Sequence, residues 1–408
     1  MKMREEHRLS NILDASLLKE MLDAGHIRFA VHPEYPELRI YGYSQSAQFD
    51  RVWNGATNAC RGLITVTNED GEFVLARGFN KFHNINTEYI EETLEANLPH
   101  EEPMVTSKMD GSLGIIFYYD NLWHVATRGS FASDQAKWAT AFFRKNVDVV
   151  AAIGLPSFVE LYTPVVEIIY VENRIVVGYD FEGLIVLGLI DKETGLDHGR
   201  GETEAVARIL GLPVVKLHNK DLQTCMSENI PNEEGYVLTF DNGLKIKVKF
   251  EDYCKLHRIV TGLNPKTVWE MMSGYCRPTS ASEEAPELHG TLKFANMVKD
   301  ETLPEQFRNW LSNWTNQFLT DLERTRARAV GVVLVGETQY GSSRKDLATF
   351  FTNADNRDIA GICFAMLDKK SAEAVDWIIW KMIKPKATDT FRIDGGRRWI
   401  CYTTTAAE

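Results

Sequence analysis

The sequence predicts an α+β fold over the first two thirds of the chain, mainly antiparallel sheet flanked by helices, with an all-helical region after it. Three observations carry this prediction. Between residues 27 and 250, strand-length apolar runs are separated by Asp-Gly, Asp-Asn and Asn-Gly pairs, as tight antiparallel hairpins require. Beyond about residue 262 the apolar residues recur at helical spacing instead. A chain of 408 residues also exceeds what one hydrophobic core usually supports, so two domains are expected, 1–260 and 261–408.

Taken in order, "LSNILDASLLKEMLDAG" sets Leu9, Ile12, Leu13, Leu17, Leu18 and Leu22 on one broad helical face and ends near Gly25. Strands are expected in "IRFAV", "LRIYGYS", "GLITVTNEDGEFVLARGF", "SLGIIFYYDNLWHVATR", "RIVVGYDFEGLIVLGLI" and "GYVLTFDNGLKIKVKF", with helices at 132–150 and 201–211. The long stretch "PEQFRNWLSNWTNQFLTDLERTRARAVGVVLVGE", opened by Pro304, is amphipathic, as are "SRKDLATFFTNA" and "DIAGICFAMLDKKSAEAVDWIIWKMIK". "CRPTSASEEAPELHG", 276–290, reads as loop. Trp310, Trp314, Phe318, Trp377 and Trp380 fall at helical spacings and read as core rather than as stacking platforms.

Composition narrows the function classes. With 44% apolar and 25% charged residues the chain is globular rather than disordered. Its six cysteines form no C-x-x-C pair and no His-flanked cluster, so structural zinc is not expected, and reduced thiols point to the cytoplasm. The first residues lack the apolar core of a signal peptide and no apolar run reaches bilayer length, so no membrane partner is expected. Residues 261–408 hold 19 basic and 19 acidic residues, so residues 1–260, with 26 against 38, carry the whole net charge of −12. That balance does not exclude nucleic acid, because phosphates respond to a local basic groove rather than to the total.

One stretch, "SKMDGSLGIIFYYDNLWHVATRGS", sets Lys108 ahead of an Asp-Gly turn, where an ammonium gains little for the fold. Alone, K-x-D-G is a weak signal and reads first as a solvated lysine beside a turn. Other segments follow in order: Arg61 in "ACRGLITV", Lys81 in "ARGFNKFHNI", Arg128 in "ATRGSFASDQA", Glu167 in "VVEIIYVENRIVV" and Glu234 in "EEGYVLTF". In "LKIKVKFEDYCKLH", Lys245, Lys247 and Lys249 alternate with Ile246 and Val248, giving a strand with one cationic and one apolar face. Three ammonium groups on one face repel each other unless an anion lies between them. Polyphosphate fits that need, and a solvated edge that resists aggregation is the competing reading.

Over roughly residues 34–260, "KMDGSL", "RGSFASDQA", "ENRIVV", "EEGYV" and "KVKFEDYCKLH" make the chain resemble the covalent nucleotidyltransferases, and among them the phage-type ATP-dependent RNA ligase 1 family. The resemblance implies a nucleotidyltransferase domain followed by a family-specific helical domain that selects the RNA. It implies that a lysine attacks the α-phosphate of ATP, that AMP passes to an RNA 5′-phosphate, and that an RNA 3′-hydroxyl then displaces AMP. By matching positions, Lys108 is the nucleophile, with Asp110, Gly111, Arg128 and Glu234 as further catalytic residues and Glu234 nearest the metal. Tyr43, Arg61, Lys81, Glu167, Lys247 and Lys249 bind the nucleotide, Glu167 at its sugar. The cofactors implied are ATP and Mg2+, with Mn2+ as an alternative metal; the partner is RNA with 5′-phosphate and 3′-hydroxyl ends, broken tRNA among them. The sequence departs from the family in carrying Arg128 where lysine is usual and His83 where an aromatic residue is usual.

The chemistry explains the residue types. A free lysine has a pKa near ~10.4, so near neutral pH only about one in a thousand is the amine that attacks. Desolvation and neighbouring cations act against the ammonium, and Arg61, Lys247 and Lys249 are the expected cations. Asp110 is expected to orient the nucleophile or a metal-bound water. Two other readings are a DNA ligase or GTP-using capping enzyme and a catalytically silent RNA-end-binding protein. Retention of both nucleophile and metal carboxylate speaks against the last. His257 reads as a packing residue, and "RTRAR" (Arg324, Arg326, Arg328) and "KMIKPK" as candidate RNA-backbone contacts or a charged helix face.

Overall fold

A computed structural model describes residues 4–147, 158–273, 303 and 305–385. The chain divides into two compact units, Met1–Lys255 and Leu256–Glu408. The expected loop at 276–290, Cys276, Cys401, Pro304, Lys386 and the last residues of the expected 132–150 helix lie outside the described residues.

The first unit is α+β, as the hairpin signals required. Its strands are β1 Ile27–Val31, β2 Leu38–Tyr43, β3 Arg61–Asn68, β4 Gly71–Ala76, β5 His83–Asn84, β6 Met104–Ser107, β7 Ser112–Tyr119, β8 Leu122–Thr127, β9 Tyr162–Ile169, β10 Gly183–Asp191, β11 Leu217–His218, β12 Gly235–Thr239 and β13 Lys245–Lys249. They form sheets ordered β1-β2-β3-β4, β10-β9-β7-β8 and β11-β6-β12-β13-β5. Every pairing is antiparallel except β13 with β5, which is parallel. The β7–β8 hairpin turns on Asp120 and Asn121, both at positive φ (48° and 59°), the conformation that an Asp-Asn pair tolerates best among non-glycine residues.

The period of two in these strands builds four layers. On β2 and β3, Ile40 and Ile64 face the second sheet and meet Phe117 and Val165, while Tyr41 and Leu63 face the N-terminal helices and meet Leu18 and Met21. The second sheet's other face, with Val166, Ile168 and Val186, packs on Phe143 of helix Asp134–Asn146 and Val206 of helix Arg200–Leu210. Both helices lie where expected, the second stopped by Gly211 in the left-handed region.

Two expectations change. The N-terminal helix is broken into Leu9–Ile12 and Ala15–Asp23, because Asp14 caps the second piece by accepting from the backbone N–H groups of Ser16 and Leu17. The segment "RIVV" is no strand: its backbone turns aside after Val171–Asn173, and the N–H groups of Val176 and Val177 go to a carboxylate instead of a ladder.

The second unit is helical in its described residues. Helices Pro265–Met272, Glu305–Tyr340, Arg344–Phe351, Ala360–Leu367 and Ala372–Met382 enclose a core that includes Trp310, Phe318 and Trp380, with Trp314 and Trp377 packed against it. The predicted run from 358 to 384 is two helices, parted where Lys369 takes φ 54° and Ser371 caps the second.

Candidate active site

Lys108 leaves the end of β6 with its N–H still bonded to the Gly235 carbonyl of β12 at 2.8 Å. Gly111 then leads into β7, and no larger residue fits there: a Cβ would lie 2.6 Å from the Ile168 carbonyl oxygen. That close approach lets the Gly111 N–H donate to Glu167 Oε1 at 3.0 Å. Gly235 is under the same constraint, at φ +143° with a Cβ position 2.0 Å from the Val248 oxygen. The glycines of "KMDGSL" and "EEGYV" are thus the points where three strands come close enough for their carboxylates and lysines to meet.

At that meeting point Glu234, 3% exposed, takes two lysines: Lys108 Nζ lies 2.7 Å from Oε2 and Lys249 Nζ 2.9 Å from Oε1. The register sets Lys249 opposite Gly235 and Lys247 two residues back on the same face of β13. The Lys247 ammonium is held well below the ordinary lysine range, first by desolvation and then by Arg61, Lys81, Lys108 and Lys249. Burial, with Glu234 and Asp110 adding to it and Lys108 and Arg61 opposing, pushes the Glu167 carboxyl up to about 8. Among the described residues no carboxylate lies within ion-pair distance of Arg61, Lys81, Arg128 or Lys247. Clustered cations without counter-ions are costly, and they mark where an anion is to be received.

Beside this centre, Arg128 Nη1 donates to the Tyr43 hydroxyl at 2.9 Å, and Lys81 Nζ sits 5.3 Å over the Tyr43 ring. Burial would raise the Tyr43 phenol, but Arg128, Lys81 and Arg61 outweigh it and the net shift is downward. Arg61 and Lys247 both lie over Phe82, at 5.5 and 4.6 Å. His83, paired beside Ile246, is pushed down to about 4 by desolvation, Lys81 and Lys247, so it is neutral at physiological pH. All eleven candidate residues of the sequence are therefore grouped on neighbouring strands and loops of the first unit.

Three expectations are corrected. Lys108 does not stand as an amine among cations: its partner is Glu234, an ion pair that only the ammonium makes. Asp110 does not face the nucleophile. Its Oδ2 accepts from the N–H groups of Val176 and Val177, both at 2.8 Å, and its Oδ1 accepts from the Tyr253 hydroxyl at 2.7 Å. Lys245 shares the face of Lys247 and Lys249 but is not an unpaired cation, because Asp197 Oδ2 lies 3.0 Å away, and β13 is an interior strand rather than an edge.

Sequence reasoning missed the residues that fix Asp110. Tyr253 lies within "KFEDYCKLH" and Tyr179 within "VVGYDF"; the Tyr179 hydroxyl accepts from the Asp110 N–H at 2.8 Å. Burial raises both phenols far above their ordinary value, so they stay protonated. No periodicity flags a tyrosine hydroxyl that reaches across 143 residues to a carboxylate.

A lysine joined to a buried glutamate, with unpaired cations beside it on antiparallel sheets, is the arrangement that the sequence resemblance implies for a covalent nucleotidyltransferase. The RNA ligase family model matches residues 59–253. An RNA ligase of Rhodothermus phage RM378 is 23% identical over 299 residues, covering 58% of this chain and 67% of that protein. An archaeal ATP-dependent RNA ligase structure is similar with a TM-score of 0.43 and 14% identity, over 77% of this chain and 80% of that one. That likeness is too loose to carry residues across.

Proposed function

We propose that the chain is an ATP-dependent RNA ligase acting through Lys108. The Lys108 nitrogen attacks the α-phosphorus of ATP; a P–N bond forms, the bond to the pyrophosphate oxygen breaks, and the amine's proton leaves to solvent. An RNA 5′-phosphate oxygen then takes the adenylyl group and Lys108 departs with a proton. Last, a 3′-hydroxyl attacks that 5′-phosphate, its proton is lost, and AMP leaves. Arg61, Lys81, Arg128 and Lys247 hold phosphate oxygens, and the free Glu167 oxygen takes a ribose hydroxyl. Asp110 is a positioning residue that fixes the loop between Lys108 and Gly111.

The observation that carries the reading is the shared carboxylate: one buried glutamate holds Lys108 and Lys249 at once, with unpaired cations around it. Glu234 holds Lys108 in an ion pair at 2.7 Å and so competes with the nucleotide for it. A cation arriving with the triphosphate would compete for Glu234 and loosen that pair.

A divalent metal fits this donor set only in company with the nucleotide. Among the described residues no three His, Cys, Asp or Glu side chains gather to hold an ion, and Asp110 is fully bonded. Magnesium commonly takes one or two carboxylates plus substrate phosphates, so Glu234 would be its protein ligand. The metal would supply charge neutralisation at the leaving pyrophosphate.

The substrate is RNA bearing 5′-phosphate and 3′-hydroxyl ends, broken tRNA among the candidates, met in the cytoplasm, or in the host cytoplasm for a viral chain. Described cysteines Cys60, Cys225, Cys254 and Cys363 are free thiols, in keeping with a reducing compartment. No helix of the described residues is long and apolar enough to cross a membrane. The test is incubation with α-labelled ATP and magnesium. The native chain should retain AMP and Lys108→Ala should retain none; normal labelling of Lys108→Ala would refute the assignment.

A further inference from the structure

Beyond Tyr43, aromatic rings and cations alternate along one run whose rings and outer arginine the ATP chemistry does not use. Tyr43 meets Trp53 edge to face at 5.1 Å, Trp53 meets His83 at 5.2 Å, and His83 meets Tyr89 at 6.5 Å. Arg128 lies 4.7 Å over Tyr43, Lys81 4.8 Å over Trp53, and Arg51 4.4 Å over Tyr89. The inner end is buried, with His83 8% exposed, while the outer end opens to solvent, with Tyr89 45% exposed and Arg51 exposed. Arg51 holds its place at φ 58°, a left-handed conformation that is unusual for arginine.

The in-line geometry of displacement at phosphorus decides what this run is for. If Lys108 expels pyrophosphate, the lysine and the leaving group lie on opposite sides of the α-phosphorus. The incoming RNA 5′-phosphate must later displace the lysine from the side opposite to it, the side pyrophosphate has vacated. Lys81 and Arg128 lie over the Tyr43 ring; if they hold the side that pyrophosphate vacates, they then grip the RNA 5′-phosphate, and the next groups along the run are Trp53, His83, Tyr89 and Arg51. Faces and edges of π systems interleaved with cations suit unpaired bases and their phosphates without regard to sequence.

We propose that the Trp53–His83–Tyr89 run, closed by Arg51, is the binding site for the 5′-phosphate end of single-stranded RNA, its terminal nucleoside stacking on the exposed Tyr89 ring. This rests on the ligase reading above. Transfer forms a P–O–P linkage as the RNA oxygen bonds to the AMP phosphorus, and breaks the P–N bond, the lysine nitrogen taking up a proton.

The test uses the full chain with Tyr89→Ala, Tyr89→Phe and Arg51→Ala, and a short 5′-phosphorylated oligoribonucleotide carrying 2-aminopurine at its first position. Stacking is worth about 1–3 kcal/mol per base, so Tyr89→Ala should raise the KM for AMP transfer to this RNA about 5- to 150-fold. Labelling of the enzyme by ATP should stay within about twofold, and Tyr89→Phe should behave as native. The native chain should quench 2-aminopurine fluorescence and Tyr89→Ala should not. The binding readout needs no adenylate: quenching without any labelling by ATP would overturn the ligase reading and leave the stacking site standing. Equal quenching and equal transfer in native, Tyr89→Ala and Arg51→Ala proteins would overturn the site itself.

Discussion

Glu167 and Asp110 are two buried carboxylates with opposite tasks, and their partners tell them apart. Asp110 spends both oxygens on fixed donors, so it acts as a brace. Asp110→Asn turns one acceptor into a donor facing N–H or O–H groups. Unsatisfied buried partners of this kind cost about 1–3 kcal/mol each, so thermal melting should shift down by several degrees along with lost adenylation. An unchanged melting temperature would show that Asp110 acts in the chemistry alone. Glu167 keeps one oxygen free and titrates near pH 8 in the folded chain against 4.5 for its ordinary value. A carboxyl raised on folding stabilises the protein below the lower value, and that contribution drains away as pH rises through 4.5 to 8. Glu167→Gln keeps an oxygen for the Gly111 N–H and cannot ionise. Its melting temperature should lack the decline between pH 5 and 8 that the native chain shows; parallel curves would remove Glu167 as the titrating group.

At the scale of elements, the site is made by strand register, and this is where the sequence was most legible. The alternation in "KIKVK" correctly forecast that Ile246 and Val248 point into the core while lysines share the other face, because a strand has only two faces. What it did not tell was which anion each lysine meets: Asp197 for Lys245 and Glu234 for Lys249 come from distant segments. The "RIVV" segment misled for the converse reason, since its β-branched residues suit a strand but a carboxylate claims its backbone N–H groups. Register also makes a sharp comparison between two glycines. Gly235→Ala would drive a methyl into the Val248 carbonyl, part β12 from β13, and should yield insoluble protein or melting lowered by more than 10 °C. Gly201 lies in helix Arg200–Leu210 with nothing within 4 Å of its Cβ position, so Gly201→Ala should be neutral or stabilise by about 0.5–1 kcal/mol. Equal tolerance of both would refute the packing argument for "EEGYV".

For the whole molecule, a net charge of −12 sits on a chain whose business is with phosphates, and the two facts are compatible only if cations are concentrated at few points. In the helical unit the "RTRAR" arginines are already committed: Arg324 to Asp321, Arg326 to Asp376 and Arg328 to Asp358, each at 2.6 Å. These pairs account for the basic helix face that the sequence left open between RNA contact and ordinary surface. Among the catalytic unit's cations without carboxylate partners, Arg61, Lys81, Arg128 and Lys247 are the ones gathered at the candidate site, and taking these as the contacts sets the number of phosphate charges neutralised at about three to four. For single strands the logarithm of the binding constant falls with the logarithm of salt by about 0.7 per phosphate contact, so the slope should be about −2 to −3. Raising salt from 50 to 200 mM should therefore weaken binding of a 5′-phosphorylated single strand about 20- to 50-fold, read by fluorescence anisotropy on Lys108→Ala protein, which carries no adenylate. A loss beyond about 1,000-fold would mean that the arginines of the helical unit leave their aspartates for the RNA, and Arg326→Ala with Arg328→Ala should then bring the slope back. A loss under threefold would mean that the cluster around Lys247 receives something other than nucleic-acid phosphate.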